Sequence, residues 1–279
     1  MLAAAAGTAG ARARSTFDPR VTIIGDSIAT GMLWHPDAVS VMQVGLAVDW
    51  QVAVCRRLTT TSCPFLGGEA PNALDVIHSL GSKLGPTVVV EMGYNELEAT
   101  FEQSVRTTLQ ALLHVGVQRV LWLTLHETRH PYVRMNATLV ALAARYPQLT
   151  LVDWNLYSRS HPEWFQSDGE HLDESGGVAM ATLVHRAVMH ALDPLVVAPT
   201  PLPVARVGRR YAARLQAVGG TAPVRWALVG GRPPYGLHLR PDGGIYGVPT
   251  RAARVGMVVR ATDADGQTAS RRETVTVTP

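Results

Sequence analysis

Lysine is almost missing from this 279-residue sequence: Lys83 stands alone, and arginine supplies the rest of the 25 basic residues. Long apolar runs are missing too. No stretch approaches the roughly 20 uninterrupted apolar residues of a membrane helix, so no transmembrane segment is expected in this chain. Cysteine is confined to Cys55 and Cys63, too few ligands for a four-coordinate structural zinc site. The Ala/Gly-rich start, Met1 to Arg14, lacks the basic n-region and the strongly apolar core of a secretion signal, and residues 1–19 read as a flexible leader. Charged residues make up only 17% of the chain against 47% hydrophobic ones, which excludes a disordered polyelectrolyte and leaves ample material for a buried core.

What charge there is divides unevenly. Residues 1–195 carry 13 basic and 18 acidic residues, whereas 196–279 carry 12 arginines against 4 acids. The carboxy-terminal part is therefore expected to meet an anionic surface polymer, with no nucleic acid as partner. The alternative is that arginine merely replaces lysine and the basic part packs on the acidic one. The two cysteines bound the segment CRRLTTTSC. A disulfide there would close a ring of about nine residues, contribute about 2.5 kcal/mol in the chain-entropy treatment, and imply an oxidising compartment. Two free thiols are the other possibility.

Residues 20–192 alternate short β-branched runs with segments of helical period. The runs VTIIG (21–25), QVAVC (51–55), TVVVEM (87–92), RVLWLTL (119–125) and LTLVDW (149–154) predict strands buried on both faces. Helices are predicted over 101–116, with Gly116 as C-cap, over 132–146 before Pro147, and from about Glu174 to Leu192. Such alternation specifies an α/β fold, a doubly wound parallel five-stranded sheet of flavodoxin-like order. Residues 193–203, with four prolines in DPLVVAPTPLP, read as a semi-rigid linker. From 204 to 279 the pattern alternates between turn signals such as GGRPPYG and DADG, which predicts a small β-sandwich.

Three separated segments fall at the carboxyl ends of strands or in the loop after the fifth, where loops of an open parallel sheet meet. They are Gly25-Asp26-Ser27, Gly93-Tyr94-Asn95 and Asp168-Gly-Glu-His171. Together they suffice for acyl transfer. A serine hydroxyl needs a base to take its proton, and His171 can serve for Ser27. The imidazole needs an acceptor for its other nitrogen, and Asp168 is three residues away. Donors for a developing oxyanion are available in the Asn95 amide and the Ser27 N–H. No cofactor and no metal is needed; a site from His161, Glu163 and Asp168 is conceivable but unmarked. His126, Arg129, His130 and Tyr132, after the fourth strand, either line the acyl or sugar pocket or form a solvated loop. Trp154 and Trp164 either pack in the core or stack on a sugar.

At these residues the sequence resembles the SGNH (GDSL-like) hydrolases. Ser27 within GDS matches the first block of that family, Asn95 within G-x-N the third, and Asp168 and His171 within D-x-x-H the last, in the right order over residues 20–192. The second block departs: VAVCRR places Cys55 where the family has glycine, so the resemblance makes the Cys55 N–H the second-block oxyanion donor, with Gly67 and Gly68 as alternatives. The segments YVRMNATL, LVDW and HPEWFQSDGEHLDESG look like the extracytoplasmic SGNH domains of surface-glycan O-acetyltransferases, and the chain carries no membrane domain of that kind. The carboxy-terminal part resembles the Ig-like repeat of bacterial surface proteins through YAARLQAVGGTAPVRWAL, GLHLRPDGGIYGVPT and VVRATDADGQTAS. The resemblance implies a secreted or surface-associated serine esterase acting on an acylated carbohydrate or small ester. Its rivals are an O-acetyltransferase using the same residues, and a catalytically silent wall-binding or adhesion protein.

Overall fold

A computed structural model describes residues 19–279, the side chain of His130 excepted; apart from Pro19, the expected leader lies outside the described residues. By its internal contacts the chain divides into two compact units, one up to Val184 and one from His185 on.

The first unit is built on five parallel strands: β1 (Arg20–Gly25), β2 (Ala47–Val52), β3 (Thr87–Glu91), β4 (Arg119–Leu123) and β5 (Leu149–Val152). Their order across the sheet is β2-β1-β3-β4-β5, the flavodoxin-like arrangement. The inner strands follow from their composition. Val21, Ile23 and Ile24 of β1 and Val88, Val89 and Val90 of β3 are fully buried, as strands covered on both faces require. Seven helices accompany them: α1 (Ser27–Trp34), α2 (Pro36–Met42), α3 (Ala73–Leu80), α4 (Glu98–His114), α5 (His130–Ala143), α6 (Trp154–Ser158) and α7 (Glu174–Leu192).

The second strand is the main correction to the sequence reading. It runs over 47–52 rather than 51–55, and it is not buried on both faces. As an edge strand it tolerates the polar residues of AVDWQV, and Asp49 accepts a hydrogen bond from Arg20 at 2.8 Å. The apolar stretch QVAVC straddles its end. The Ala53 N–H still bonds to the Gly25 carbonyl at 3.1 Å, after which Cys55 turns the chain away with φ +64°. Helix α4 begins and ends earlier than the period implied, with Gly116 beyond its end at φ +95°. Helix α5 stops at Ala143, because the Arg145 and Tyr146 N–H groups both turn back to the Leu142 carbonyl before Pro147.

The second unit is all-β after the last turns of α7. Its strands are β6 (Val196–Val197), β7 (Ala205–Arg206), β8 (Tyr211–Arg214), β9 (Ala217–Val218), β10 (Arg225–Gly231), β11 (Leu237–Leu239), β12 (Gly244–Gly247), β13 (Ala253–Thr262) and β14 (Thr268–Thr278). They form a three-stranded sheet β8-β12-β11, a four-stranded sheet β10-β13-β14-β7 and the pair β9-β6, enclosing Trp226, Leu237, Ile245, Met257, Val259 and Val275. The expected linker is not one. Leu195 and Val197 are 5% and 3% exposed and belong to this core, and β6 pairs with β9. Apolar residues set between prolines find a hydrophobic interior here, and that outweighs the extended preference of the prolines. The division at 184/185 also falls within α7, eight residues before the boundary expected at 192.

Strands β1 and β3 lie side by side, yet their crossovers leave in opposite directions. The carboxyl ends of β1 and β3 therefore open a crevice, the switch point at which such sheets bind ligands. At its floor β1 passes into α1 through Gly25, where a Cβ would collide with that of Ala29 and crowd the Glu91 carbonyl at 3.3 Å. Gly25→Ala is expected to force α1 off the sheet. Its urea midpoint should fall by an amount equivalent to about 1–3 kcal/mol, as overpacked sites do; an unchanged midpoint would show that α1 does not need this close approach.

Candidate active site

Ser27 is the first residue of α1, directly beyond the end of β1. The Asp26 carboxylate caps the helix by accepting from the Ile28 N–H at 3.0 Å, and Glu91 accepts from the Ala29 N–H at 3.0 Å. Neither carboxylate takes the Ser27 N–H, which stays at the open end of the helix, where the dipole favours negative charge. The Ser27 hydroxyl lies 3.0 Å from His171 Nε2, and His171 Nδ1 lies 2.7 Å from Asp168 Oδ2. With its proton on Nδ1, the ring donates to Asp168 and leaves Nε2 to accept from the serine. The structure thus brings together three residues that span 144 positions of the chain.

Asp168 and His171 are set by a single tight turn. Asp168 Oδ1 accepts from the N–H groups of Glu170 and His171, each at 2.9 Å, and Gly169 sits at φ +70°, where an L side chain is strained. Partial burial alone would raise the Asp168 carboxyl. The two N–H groups and the His171 ring outweigh it and hold the group below the ordinary aspartate value, so it remains an anion able to orient the imidazole.

Beneath the serine lies a feature that the sequence reading missed. Asp26 and Glu91 are buried, at 0% and 1% exposure, and hydrogen-bond to each other. Burial pushes Asp26 up to about 6, against the opposing pull of the Ile28 N–H, Glu91 and the Gly93 N–H. Burial, with the Asp26 charge next, raises Glu91 well above its ordinary value. Two adjacent carboxyls cannot both ionise readily without water, so the pair shares a proton, which Glu91, raised well above its ordinary value, holds and donates to the Asp26 carboxylate. The one legible signal was a glutamate inside an otherwise apolar strand, TVVVEM.

The anionic Asp26 holds Asn95. Its Oδ2 accepts from Asn95 Nδ2 at 3.4 Å, and the Arg56 carbonyl accepts from the same nitrogen at 3.3 Å. Both contacts are at the long end for hydrogen bonds, so the amide is oriented without being tightly held. Arg56 is 5% exposed and donates to the Gln51 carbonyl at 2.7 Å. Burial lowers its pKa while Asp26 raises it, and its charge balances the acid pair.

At the second block, the Arg56 N–H bonds to the Ala53 carbonyl at 3.3 Å, whereas no bond is found for the Cys55 N–H among the described residues. Cys55 and Cys63 form a disulfide with Cα atoms 5.4 Å apart. Just beyond, the Leu58 N–H donates to Glu96 at 2.7 Å, tying this loop to the one carrying Asn95. The alternative donors, Gly67 and Gly68, lie on an exposed hairpin.

The residues after the fourth strand make internal contacts. His126 Nδ1 is 2.7 Å from Ser158 Oγ, and its ring stacks on Phe165 at 4.1 Å; burial lowers its pKa. Tyr132 is 4% exposed and donates to Glu170 at 2.9 Å, while Arg129 approaches the same carboxylate at 3.4 Å. Arg129 and Tyr132 thus converge on the turn that carries Asp168 and His171. The His130 side chain lies outside what is described. Trp154 is fully buried, and Trp164 stacks between it and His161, with ring centroids 6.0 and 3.9 Å away.

Among the described residues, the one metal-like cluster lies in the second unit, where His190, Asp263 and Asp265 present ligand atoms within 4.8 Å of one another. Asp263 there accepts from the N–H groups of Thr221, Asp265 and Gln267 and from the Gln267 amide, which fills both its oxygens and marks it as a turn brace.

Residues 193–278 match the family described as "Putative Ig domain". Among curated proteins, O-acetyltransferase OatA of Staphylococcus aureus is 30% identical over 103 residues, covering 37% of this chain and 16% of the relative. "Putative peptidoglycan O-acetyltransferase YrhL" of Bacillus subtilis is 27% identical over 127 residues, covering 44% of this chain and 19% of the relative. The chain thus spans less than a fifth of these relatives' length. One solved structure is matched over 63% of this chain and 99% of its own with a TM-score of 0.50 and 11% identity, a likeness of fold. A family 3 carbohydrate esterase of Clostridium thermocellum gives a TM-score of 0.45 at 14% identity, covering 62% of this chain and 98% of that one. A carbohydrate acetylesterase family member from Sinorhizobium meliloti gives 0.47 at 16%, covering 62% and 99%. The curated proteins the chain is similar to are named O-acetyltransferases, and the two esterase structures share with it a likeness of fold.

The acid pair generates a pH dependence of stability. A carboxyl whose folded pKa is raised binds its proton more tightly in the folded state, so its contribution is complete below the unfolded value and lost as pH rises through the folded one. For Asp26 that window runs from its ordinary 3.8 to about 6, and for Glu91 it extends higher. Stability should therefore decline as pH rises from about 4 through about 6, and go on declining above that as Glu91 titrates. Glu91→Gln, which copies the protonated acid, should flatten this decline and stay folded; urea denaturation at several pH values measures both. A slope in Glu91→Gln parallel to the parent's would place the proton elsewhere.

Proposed function

We propose that the first unit is an SGNH-type serine esterase that cleaves O-acyl esters of carbohydrates, O-acetyl esters in particular, through an acyl-enzyme. The observation that carries this reading is the chain of contacts from Ser27 Oγ to His171 Nε2 and from His171 Nδ1 to Asp168, at 3.0 and 2.7 Å, at the switch-point crevice. Ser27 Oγ attacks the ester carbonyl as His171 takes its proton. The tetrahedral oxyanion is held by the Ser27 N–H at the start of α1, by the Cys55 N–H and by the Asn95 amide, which exchanges one of its two long contacts, to Asp26 or to the Arg56 carbonyl, for the oxyanion. His171 returns the proton to the leaving sugar oxygen, and water, activated by the same imidazole, releases the acid. Asp168 stabilises the imidazolium in both halves. The chemistry needs no cofactor.

Transfer to a glycan hydroxyl is the second reading, favoured by the names of the curated relatives. It uses the same residues and differs only in which hydroxyl reaches the acyl-enzyme. Either way the protein works outside the cytoplasm, a location that the Cys55–Cys63 disulfide supports, since such bonds persist in oxidising compartments.

The test is turnover of p-nitrophenyl acetate with and without an acetylable glycan, following free acetate and acetylated product together. Ser27→Ala should abolish turnover without changing the fold, and Ser27→Ala with His171→Ala should be scarcely worse than either alone. Asn95→Ala should lower kcat by about 10²–10³. Full turnover in pure Ser27→Ala would remove the assignment, and no turnover by the folded parent on any ester would leave a binding protein.

A further inference from the structure

The four-stranded sheet of the second unit has one face in the core and one in solvent, and the register shows what the outer face carries. Along β13, Met257, Val259 and Ala261 point inward, as do Val275 and Val277 on β14. The alternate positions point outward. On that outer face lie Arg225 of β10, Arg254 and Arg260 of β13, Arg272 of β14 and Arg206 of β7, all exposed. No acid shares it. Glu273 of β14 is turned inward, 7% exposed and paired with Arg271.

The arrangement is ordered as well as basic. Arg225 stands opposite Thr262, two residues from Arg260; Arg260 stands opposite Ser270, two residues from Arg272. The three arginines thus occupy a diagonal row of register positions over adjacent strands, with their backbone positions at the spacing of about 7–8 Å that diagonal neighbours have. Arg272 lies across Gly256, where a Cβ would sit 3.2 Å from its nitrogens, so glycine leaves the arginine room to lie flat. Arg254 continues the field opposite Thr276. None of these arginines has an acidic partner among the described residues. Like charges set side by side on a sheet oppose folding, and a bound anion relieves that repulsion.

We propose that this face is a docking surface for a linear phosphate polymer without bases, independent of the reading given for the first unit. Charge complementarity selects a polyanion. The pairing of Arg225 with Thr262, Arg260 with Ser270 and Arg254 with Thr276 selects phosphate, because a tetrahedral phosphate offers oxygens to a guanidinium and a hydroxyl at once, whereas one arginine fork occupies both oxygens of a carboxylate. The outward positions of β13 and β14 and their partners on β10 are arginine, threonine, serine, glycine, alanine and valine, without an aromatic ring on which a nucleobase could stack.

The experiment uses the full chain and fluorescently labelled long-chain inorganic polyphosphate, read by anisotropy across a salt series. The parent should bind at low salt and release as ionic strength rises. Arg225→Gln/Arg260→Gln/Arg272→Gln should weaken binding at least about tenfold and lower the salt slope by about two to three, as losing three phosphate contacts does. Its melting temperature should not fall, and its ester turnover should match the parent's. Arg209→Gln/Arg210→Gln/Arg240→Gln removes equal charge from outside this face and should stay within about twofold of the parent. Equal losses in the two triple variants would reduce the effect to bulk charge and overturn the proposal. So would no binding by the parent, polygalacturonate binding as tightly as polyphosphate, or tighter binding of single-stranded DNA.

Discussion

Two carboxyl groups lie against each other under the first turn of α1, out of reach of water, with one proton fewer than they would need to be neutral. Much of the first unit is arranged around that fact. The proton on Glu91 leaves the charge on Asp26, and that charge is then used in several directions: it caps α1, it turns the Asn95 amide, and it faces the buried Arg56. Glu91 in turn accepts from the Ala29 N–H, so strand β3 and helix α1 are joined by a side chain as well as by packing. Remove the proton and two buried anions repel; remove either acid and helix α1, which bears Ser27, loses one of its caps.

The parts of this arrangement that the sequence declares are those that obey a local rule. Ser27, Asn95, Asp168 and His171 each follow a strand or precede a helix, and the topology of a parallel sheet gathers such positions at one edge. What escaped was decided by context. Strand β2 was displaced because an edge strand may be polar, and the period of AVDWQV is broken by no turn residue. The stretch 193–203 reads as a linker because its four prolines dominate the local pattern, and the burial of Leu195 and Val197 becomes evident only once a core exists to receive them. Glu91 could have been suspected, since an acid among four apolar strand neighbours demands a partner, but which partner is a matter of tertiary structure. The outer arginines are a plainer case. Their number is visible in the composition, while their alignment depends on pairing register, which no single strand encodes.

The basic character of the carboxy-terminal part and the chemistry of the amino-terminal part therefore belong to different levels of organisation. The residues of the proposed active site are specified by type and by place along the chain. The arginine face is specified by the ladder: a shift of one residue between β13 and β14 would carry Arg272 into the core and dissolve the row. Strong inward alternation of Met257, Val259 and Ala261 holds the register, so the same residues that make the hydrophobic core also fix the pattern of charge on the opposite side.

The turn from Asp168 to His171 has a mechanical side. Acid and base are locked to each other by the carboxylate's bonds to two backbone amides and the ring, and Arg129 and Tyr132 grip the intervening Glu170. Within the relay, the one separation not governed by local geometry is that between His171 and Ser27, 144 residues apart in the chain. In the proposed proton path this turn is a preassembled unit: Asp168 and His171 are set against each other by local bonds, so their mutual geometry does not depend on the 3.0 Å contact with Ser27.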